Sequence, residues 1–222
     1  MVNSKEKNIN NGWPDEIKGL AERLSAELPG LKVQLRAAPP FREGSFSVAD
    51  IEGARQASVL WLMYPGVGDG MEGVLILRAK YDGVHSKQVG LPGGERDAVD
   101  VDDLGAALRE CEEEIGVRVG REDVLGALSP LYIPPSKFLV RPYVAWVTEK
   151  PEFTLDENEV EGLLFLSVED LCSEEFWSTY KVQNILVPGF ELDGNVVWGA
   201  TAMMLYELKV CCNGTFNNTF AK

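Results

Sequence analysis

The stretch LPGGERDAVDVDDLGAALRECEEEIGV, residues 91–117, decides the fold of this protein. It opens with a glycine-rich turn and continues into a segment in which four apolar residues recur at the spacing of one helical face: Leu104, Leu108, Cys111 and Ile115. This spacing predicts a helix from about residue 102 to residue 115. Asp102 or Asp103 can cap its start, and Gly116 stands where a left-handed residue would end it.

Glutamates crowd the last turns of this predicted helix. At about 100° per residue, Glu110, Glu113 and Glu114 fall close together on the side opposite the apolar stripe, while Glu112 points elsewhere. The helix dipole disfavours each anion there by about 0.3–1 kcal/mol, and a single arginine, Arg109, offsets only part of this cost through Glu113. Two interpretations remain for the cluster: a solvated acidic face, or a site for a hard divalent cation that prefers carboxylate oxygens.

The same stretch resembles the Nudix box, whose pattern is Gly, five residues, Glu, seven residues and then R-E-U-x-E-E-x-G-U, with U an aliphatic residue. Residues 109–117 fill the second half in register, with Cys111 at an aliphatic position, and Gly94 fills the first glycine. Five fixed positions that each occur at roughly 5–7% would match by chance in about one window in a million. The first half is one residue longer than the pattern and has Asp100 where the family has a glutamate.

The resemblance implies an α/β fold, namely a Nudix-type α/β/α sandwich with a mixed β-sheet. It also implies a hydrolase that cleaves diphosphate linkages with Mg²⁺ or Mn²⁺. Glu110 and Glu114 would be the principal metal ligands, and Glu113 and the backbone carbonyl of Gly94 would assist them. The structural roles in the motif would fall to four residues: Gly94, Asp100, Arg109 and Gly116.

A general base is also required, and related enzymes often place a further carboxylate outside the box. The segment DENEVEG at 156–162 offers three glutamates, of which Glu159 is most like the family position. We therefore expect Glu159 to be catalytic together with Glu110 and Glu113. A solvated loop edge is the alternative interpretation of Glu159.

Residues 74–94 contain VLILR and HSKQVGLPGG, which resemble the segment typical of coenzyme A diphosphatases. Six residues match that pattern: Leu75, Arg78, Val89, Pro92, Gly93 and Gly94. The pattern's arginine is missing at Gly83, so the predicted substrate-binding residues are Arg78, Lys87 and Arg96.

Two further segments, 28–42 and 197–202, resemble the N-terminal extension and a C-terminal motif of the same branch. The resemblance therefore implies hydrolysis of coenzyme A or an acyl-CoA to 3′,5′-ADP and (acyl-)4′-phosphopantetheine.

The sequence offers three alternatives to this reaction. A related enzyme could act on another nucleoside diphosphate, such as ADP-ribose or a dinucleotide. A silent Nudix-fold module could bind a nucleotide without catalysis, although it would have no need of the unfavourable glutamate cluster. A calcium-binding loop beginning at Asp100 is disfavoured, because Cys111 falls where the bidentate glutamate should be.

Composition limits the partners of this chain of 222 residues, which has a net charge of −14 and four cysteines. Such a surface repels nucleic acid and anionic membranes, so a small-molecule diphosphate substrate is expected, with neither nucleic acid nor membrane as partner. The cysteine spacing fits neither a disulfide framework nor a zinc site, which favours a cytoplasmic location. A homodimer is expected from the family only.

The remaining pattern predicts alternating strands and helices and four parts of the chain. Helices are expected near 15–27, 168–173 and 199–209, and strands near 57–64, 73–78, 123–128, 138–148 and 160–166, with a strand pair within 184–198. The four parts are a flexible N-terminus (1–14), an N-terminal helix and arm (15–53), the hydrolase domain (54–210) and a flexible tail (211–222).

Overall fold

The protein is described by a computed structural model that covers residues 12–42, 48–68, 70–80 and 87–216. The helices are α1 (Asp15–Ser25), α2 (Leu31–Gln34), α3 (Val48–Glu52), α4 (Asp103–Ile115), α5 (Val168–Cys172) and α6 (Gly199–Cys212). The strands are β1 (Arg55–Pro65), β2 (Met71–Arg78), β3 (Val89–Gly90), β4 (Gly93–Glu95), β5 (Val124–Ala127), β6 (Leu131–Ile133), β7 (Phe138–Trp146), β8 (Val160–Ser167), β9 (Ser178–Val182), β10 (Ile185–Leu192) and β11 (Asn195–Trp198).

The central sheet is mixed, as predicted. Its main path runs β3-β2-β1-β7-β5, while β4 pairs with β1, β6 with β7 and β8 with β2. Strands β1 and β7 run parallel, from Arg55 opposite Phe138 to Met63 opposite Trp146, and the other pairs are antiparallel. β1 is buried along nearly all its length because it lies in the middle of the sheet with both faces covered.

Helices cover both faces of this sheet, which confirms the predicted α/β/α sandwich. Side chains of β1 alternate between the faces: Val59, Trp61 and Met63 pack in the core beneath α1 and α6, whereas Leu60 and Leu62 pack in the core beneath α4. The predicted stripe of α1 is fully buried on the first face: Ile17, Leu20, Ala21 and Leu24. A small antiparallel sheet of β9, β10 and β11 extends the same side.

Near both ends of the described residues, the chain packs on the core where the sequence predicted flexible segments. Trp13, assigned to a flexible N-terminus, is 4% exposed and lies in the core. The last helix continues past residue 209 to Cys212, and Phe216 is buried, so the flexible tail predicted from residue 211 begins too early. Both errors have one cause: an apolar residue near an end can still pack on the core, which local patterning does not reveal.

Two regions hold more regular structure than expected. The predicted strand pair within 184–198 has a third partner, β9, because the antiparallel hairpin continues into the preceding strand. The arm at 31–53, which showed little periodicity, contains α2, α3 and two short 3₁₀ turns at Leu35–Ala37 and Pro40–Arg42. Among the described helices, none combines the length and the apolar character required to cross a membrane.

Gly116 ends α4 with a φ of 73°, and a Cβ there would lie 2.8 Å from the carbonyl oxygen of Thr154. We expect Gly116→Ala to lower the free energy of unfolding by about 2–3 kcal/mol, because the left-handed backbone and the steric contact both oppose a side chain. Urea denaturation measures this. Gly194→Ala is the matched control, since Gly194 has a φ of 76° and nothing within 4 Å of its Cβ position. An equal loss in both variants would mean that the contact with Thr154 has no effect.

Candidate active site

Helix α4 starts and ends as its sequence dictates, but its buried face differs from the predicted one. The Asp102 side chain accepts a hydrogen bond from the backbone N–H of Gly105 at 2.7 Å and thus caps the helix. Leu104 and Leu108 are only half-buried, whereas Glu114 is 1% exposed. The expectation that Glu114 lies opposite the apolar stripe is therefore wrong: it lies beside the stripe, beneath the glycine-rich strand β4.

Two groups hold the buried carboxylate of Glu114. Its Oε2 accepts a hydrogen bond from the backbone N–H of Gly93 at 2.7 Å, and its Oε1 lies 3.6 Å from Nη1 of Arg78. Arg78 also donates from Nη2 to the carbonyl oxygen of Gly93 at 3.1 Å. Arg78, predicted to bind substrate, thus fixes the glycine-rich strand against the helix.

Three carboxylates converge beside this strand. One carboxylate oxygen from each of Glu110, Glu114 and Glu159 lies within 4.8 Å of the other two. The structure thus brings together two residues of the Nudix-like helix and the loop glutamate that the family resemblance suggested. Glu113 is not in this group, because its side chain is 58% exposed and faces Arg109.

Gly94 leaves room for the Glu110 carboxylate. A Cβ at Gly94 would lie 2.6 Å from both Cδ and Oε1 of Glu110. Strand β4 pairs with β1, with Gly94 opposite Ser58, so the backbone here is held by the sheet and cannot retreat. Glycine at this position therefore lets the strand approach the carboxylate group closely.

Arg109 ties the loop, the strand and the helix together. Its guanidinium forms a two-bond ion pair with Asp100, with Nε–Oδ1 at 3.0 Å and Nη2–Oδ2 at 2.9 Å. It also donates to the carbonyl oxygen of Glu95 at 3.2 Å, to Glu110 at 2.9 Å and to Glu113 at 2.7 Å. The longer spacing and shorter acid of the first half of the motif thus still allow a bidentate pair.

The loop that carries Glu159 is fastened to the end of α4. The backbone N–H groups of Thr154 and Asp156 donate to the carbonyl oxygens of Ile115 and Glu114 at 3.0 and 3.1 Å. The carbonyl oxygen of Glu159 in turn accepts from Ala79 at 2.8 Å, directly after β2. Backbone hydrogen bonds across long sequence separations therefore place an exposed loop carboxylate over the helix.

Burial makes this group of acids unusual. Desolvation raises the pKa of Glu114 to about 7, against the lowering effects of Arg78 and the Gly93 N–H, and desolvation also raises the pKa of Glu110. Glu110 and Glu159 add further repulsion at Glu114. By contrast, the hydrogen bonds from Arg109 lower the pKa of Asp100. Burial therefore outweighs the compensation that Glu110 and Glu114 receive, whereas the arginine outweighs burial at the structural acid Asp100.

The donor set fits a hard divalent cation. Three carboxylates within 4.8 Å of one another, one of them buried and held by a single backbone N–H and a distant guanidinium, present several oxygen lone pairs to one small space. Mg²⁺ and Mn²⁺ prefer such oxygen ligands. Glu110 and Glu114 would hold the ion, Glu159 lies next to them, and the position of Gly94 leaves its backbone beside the same space.

Two of the predicted substrate-binding residues lie elsewhere on the surface. Lys87 is half-exposed and pairs with Glu161 at 3.3 Å, and Arg96 pairs with Asp103 at 3.1 Å. Within the described ranges, neither contributes to the cavity beside the carboxylates. Gly83, where the branch pattern has an arginine, lies outside the described residues.

That cavity, of about 420 Å³, adjoins the cluster through the backbone of the glycine-rich strand. Its lining includes Arg78, Gly93 and Gly94, which contact the cluster carboxylates. The lining also includes the aromatic side chains of Phe41 and Trp198. Sequence reasoning missed Phe41 and Trp198 as site residues, although both lie in or beside segments that resemble the coenzyme A branch. An acidic centre thus lies beside a largely apolar cavity.

Comparisons with known proteins agree with this architecture. The NUDIX domain family matches residues 54–184. Nudix hydrolase 22, chloroplastic, of Arabidopsis thaliana is 32% identical over 163 residues, which are 68% of this chain and 53% of that protein. A peroxisomal coenzyme A diphosphatase of Caenorhabditis elegans is 25% identical over 170 residues, 75% of this chain and 73% of that protein.

A solved MutT/nudix family protein from Enterococcus faecalis shares the fold, with a TM-score of 0.54 and 16% identity over 86% of this chain and 70% of that chain. The present chain spans 53% and 56% of the length of two Arabidopsis relatives. The match to the NUDIX domain covers more than half of the chain and includes the helix, the glycine-rich strand and the loop that form the carboxylate cluster. The chain belongs to the Nudix family.

Proposed function

We propose that this protein is a divalent-metal-dependent hydrolase that cleaves the diphosphate linkage of coenzyme A or an acyl-CoA. The convergence of Glu110, Glu114 and Glu159 beside Gly94 carries the proposal, because it provides a site for Mg²⁺ or Mn²⁺ next to an organic-substrate cavity. The coenzyme A branch is supported by the motif residues Arg78 and 89–94 and by the similarity to a protein named as a coenzyme A diphosphatase.

The reaction requires water to attack one phosphorus of the diphosphate. A bound divalent cation would screen the phosphate oxygens and lower the pKa of water. Glu110 and Glu114 would hold the ion, Arg109 orients Glu110 through its 2.9 Å contact, and Gly94 leaves room for the Glu110 carboxylate. Glu159, exposed and close to both other carboxylates, accepts the proton of the attacking water.

The proposed hydrolysis needs no reactant other than the diphosphate substrate and water. A new P–O bond forms from water, the bridging P–O bond breaks, and the leaving phosphate takes the bridging oxygen. Coenzyme A and water thus yield 3′,5′-ADP and 4′-phosphopantetheine. Glu113, exposed and paired with Arg109, supports the arginine in this scheme. A cytoplasmic location and a homodimer stay predictions.

Product analysis tests the substrate. The purified protein is incubated with coenzyme A, ADP-ribose and a diadenosine polyphosphate, each with Mg²⁺, Mn²⁺ or EDTA, and products are identified by mass. We expect metal-dependent release of 4′-phosphopantetheine at a rate at least about tenfold above that for the other substrates, since a cavity matched to one organic group discriminates by more than 1 kcal/mol. Faster cleavage of another substrate would reassign the specificity, and no turnover of any would support a binding module.

A further inference from the structure

Parts of the chain outside the matched domain supply one third of the residues that line the cavity. Its central floor is the sheet, but one wall comes from the arm, through Pro39, Phe41 and Arg42, and another from residues 198–204 at the start of α6. The NUDIX match covers only residues 54–184. The arm and the start of α6 therefore add to a cavity whose remaining lining comes from the matched domain.

The lining favours an apolar occupant without charge. Six of its side chains are hydrocarbon or thioether surfaces: Val59, Leu91, Ile133, Phe138, Val140 and Met204. The polar groups among the lining residues already have partners: Thr201 donates to the carbonyl oxygen of Val89 at 2.9 Å, Arg42 donates to that of Tyr132, and Arg78 donates to that of Gly93 at 3.1 Å. A purine would bring ring nitrogens that need hydrogen bonds, whereas an apolar chain needs none.

Among the described residues of the arm, Phe41 is the one large apolar side chain in this wall, and it is 59% exposed. An exposed phenylalanine at the mouth of an apolar cavity is unfavourable in the free protein and becomes favourable when a ligand covers it. Phe41 and residues of the sheet line the same cavity, so an occupant would contact both.

The arm is fixed in place by a buried carboxylate. Glu207 of α6 has no exposed surface and accepts hydrogen bonds from the backbone N–H of Gly30 at 2.9 Å, from Nε2 of Gln34 at 2.8 Å and from the backbone N–H of Ser129 at 3.1 Å. At the other end, the Arg42 side chain bonds to the Tyr132 carbonyl oxygen. These contacts hold the segment 30–42 near both of its ends, and Phe41 lies within it.

We propose that the cavity binds the apolar acyl chain of the substrate, that Phe41 determines specificity for it, and that Glu207 is a positioning residue that holds the arm over it. For the placement of the diphosphate at the carboxylates, this inference rests on the proposed function. The carboxylate cluster then receives the diphosphate while the chain extends past Gly93 into the cavity. Acylated substrate is preferred over free coenzyme A.

Binding of decanoylpantetheine, which has no phosphate and cannot be cleaved, tests the cavity by calorimetry. We expect the wild-type protein to bind it and Phe41→Ala to weaken binding about tenfold, because alanine removes much of the apolar surface that Phe41 would bury against the ligand. Phe41→Leu should restore most of the affinity, because leucine keeps much of that surface. Leu186→Ala, at an exposed residue of β10, serves as the control and should change affinity by less than about twofold. Absence of binding, or equal binding to wild type and Phe41→Ala, would overturn the inference.

Kinetics separate positioning from general damage. With decanoyl-CoA, Phe41→Ala and Glu207→Gln should raise KM about tenfold and leave kcat within about twofold, whereas KM for free coenzyme A should change little. A fall of kcat alone, or equal effects on both substrates, would contradict the assignment of the arm. Decanoylpantetheine binding without any coenzyme A hydrolysis would refute only the proposed reaction, whereas hydrolysis without such binding would refute only the cavity.

Discussion

Glu114→Gln is expected to lower the rate of metal-dependent hydrolysis about 100- to 1000-fold, because a correctly bound metal ion stabilises the transition state by several kcal/mol. Glu114 provides the buried carboxylate of the cluster, and a neutral amide offers a weaker ligand and a donor in its place. The amide oxygen can still accept the 2.7 Å hydrogen bond from Gly93, and burial no longer has to accommodate a charge. The fold should therefore survive the substitution, with equal or higher stability in the absence of metal.

Two measurements separate metal binding from folding in this variant. The wild-type melting temperature should rise when Mn²⁺ is added, because an ion that binds only the folded state stabilises it, and this rise should vanish in Glu114→Gln. Glu112→Gln is the matched control, because Glu112 lies on the same helix but pairs with exposed Arg118. Full activity of Glu114→Gln, or an equal loss in Glu112→Gln, would contradict the ligand assignment.

Gly94→Ala is expected to reduce kcat about 100-fold, because displacement of a catalytic group by about 1 Å has an effect of that size. The new Cβ would lie 2.6 Å from the Glu110 carboxylate, and the backbone of β4 is held against β1. The carboxylate is the flexible end of a side chain, so it moves in preference to the strand. Activity is thus lost with little change in the free energy of unfolding.

Gly162→Ala provides the comparison for this prediction. Gly162 lies in β8, three residues after Glu159, and a Cβ there has nothing within 4 Å. Both variants add one methyl group near the site, but only Gly94→Ala pushes on a cluster carboxylate. Steady-state kinetics measures kcat of the two variants, and urea denaturation measures their free energies of unfolding. Wild-type kcat in Gly94→Ala would show that Glu110 need not occupy its present position.

Local patterning predicted most elements because each depends on neighbours in sequence. The period of 3.6 in α1 and the unbroken apolar run of β1 are direct consequences of which faces are buried. β4 and β9 were missed because they are short and form only when a partner strand is nearby. Trp13 and Phe216 were misjudged for a similar reason, since their burial depends on the core and not on adjacent residues.

The sequence by itself determined the family, the helix with its glutamates, and the candidate carboxylate Glu159, because these follow from residue types at fixed spacing. Only the tertiary structure decided that Glu114 is buried under Gly93, that Glu113 faces outward, and that a loop beyond β7 completes the cluster. It also decided that the arm and the start of α6 contribute to the lining of the apolar cavity beside the carboxylates. The physical reason is that a carboxylate's burial and partners arise from contacts between segments far apart in the chain, which no local spacing encodes.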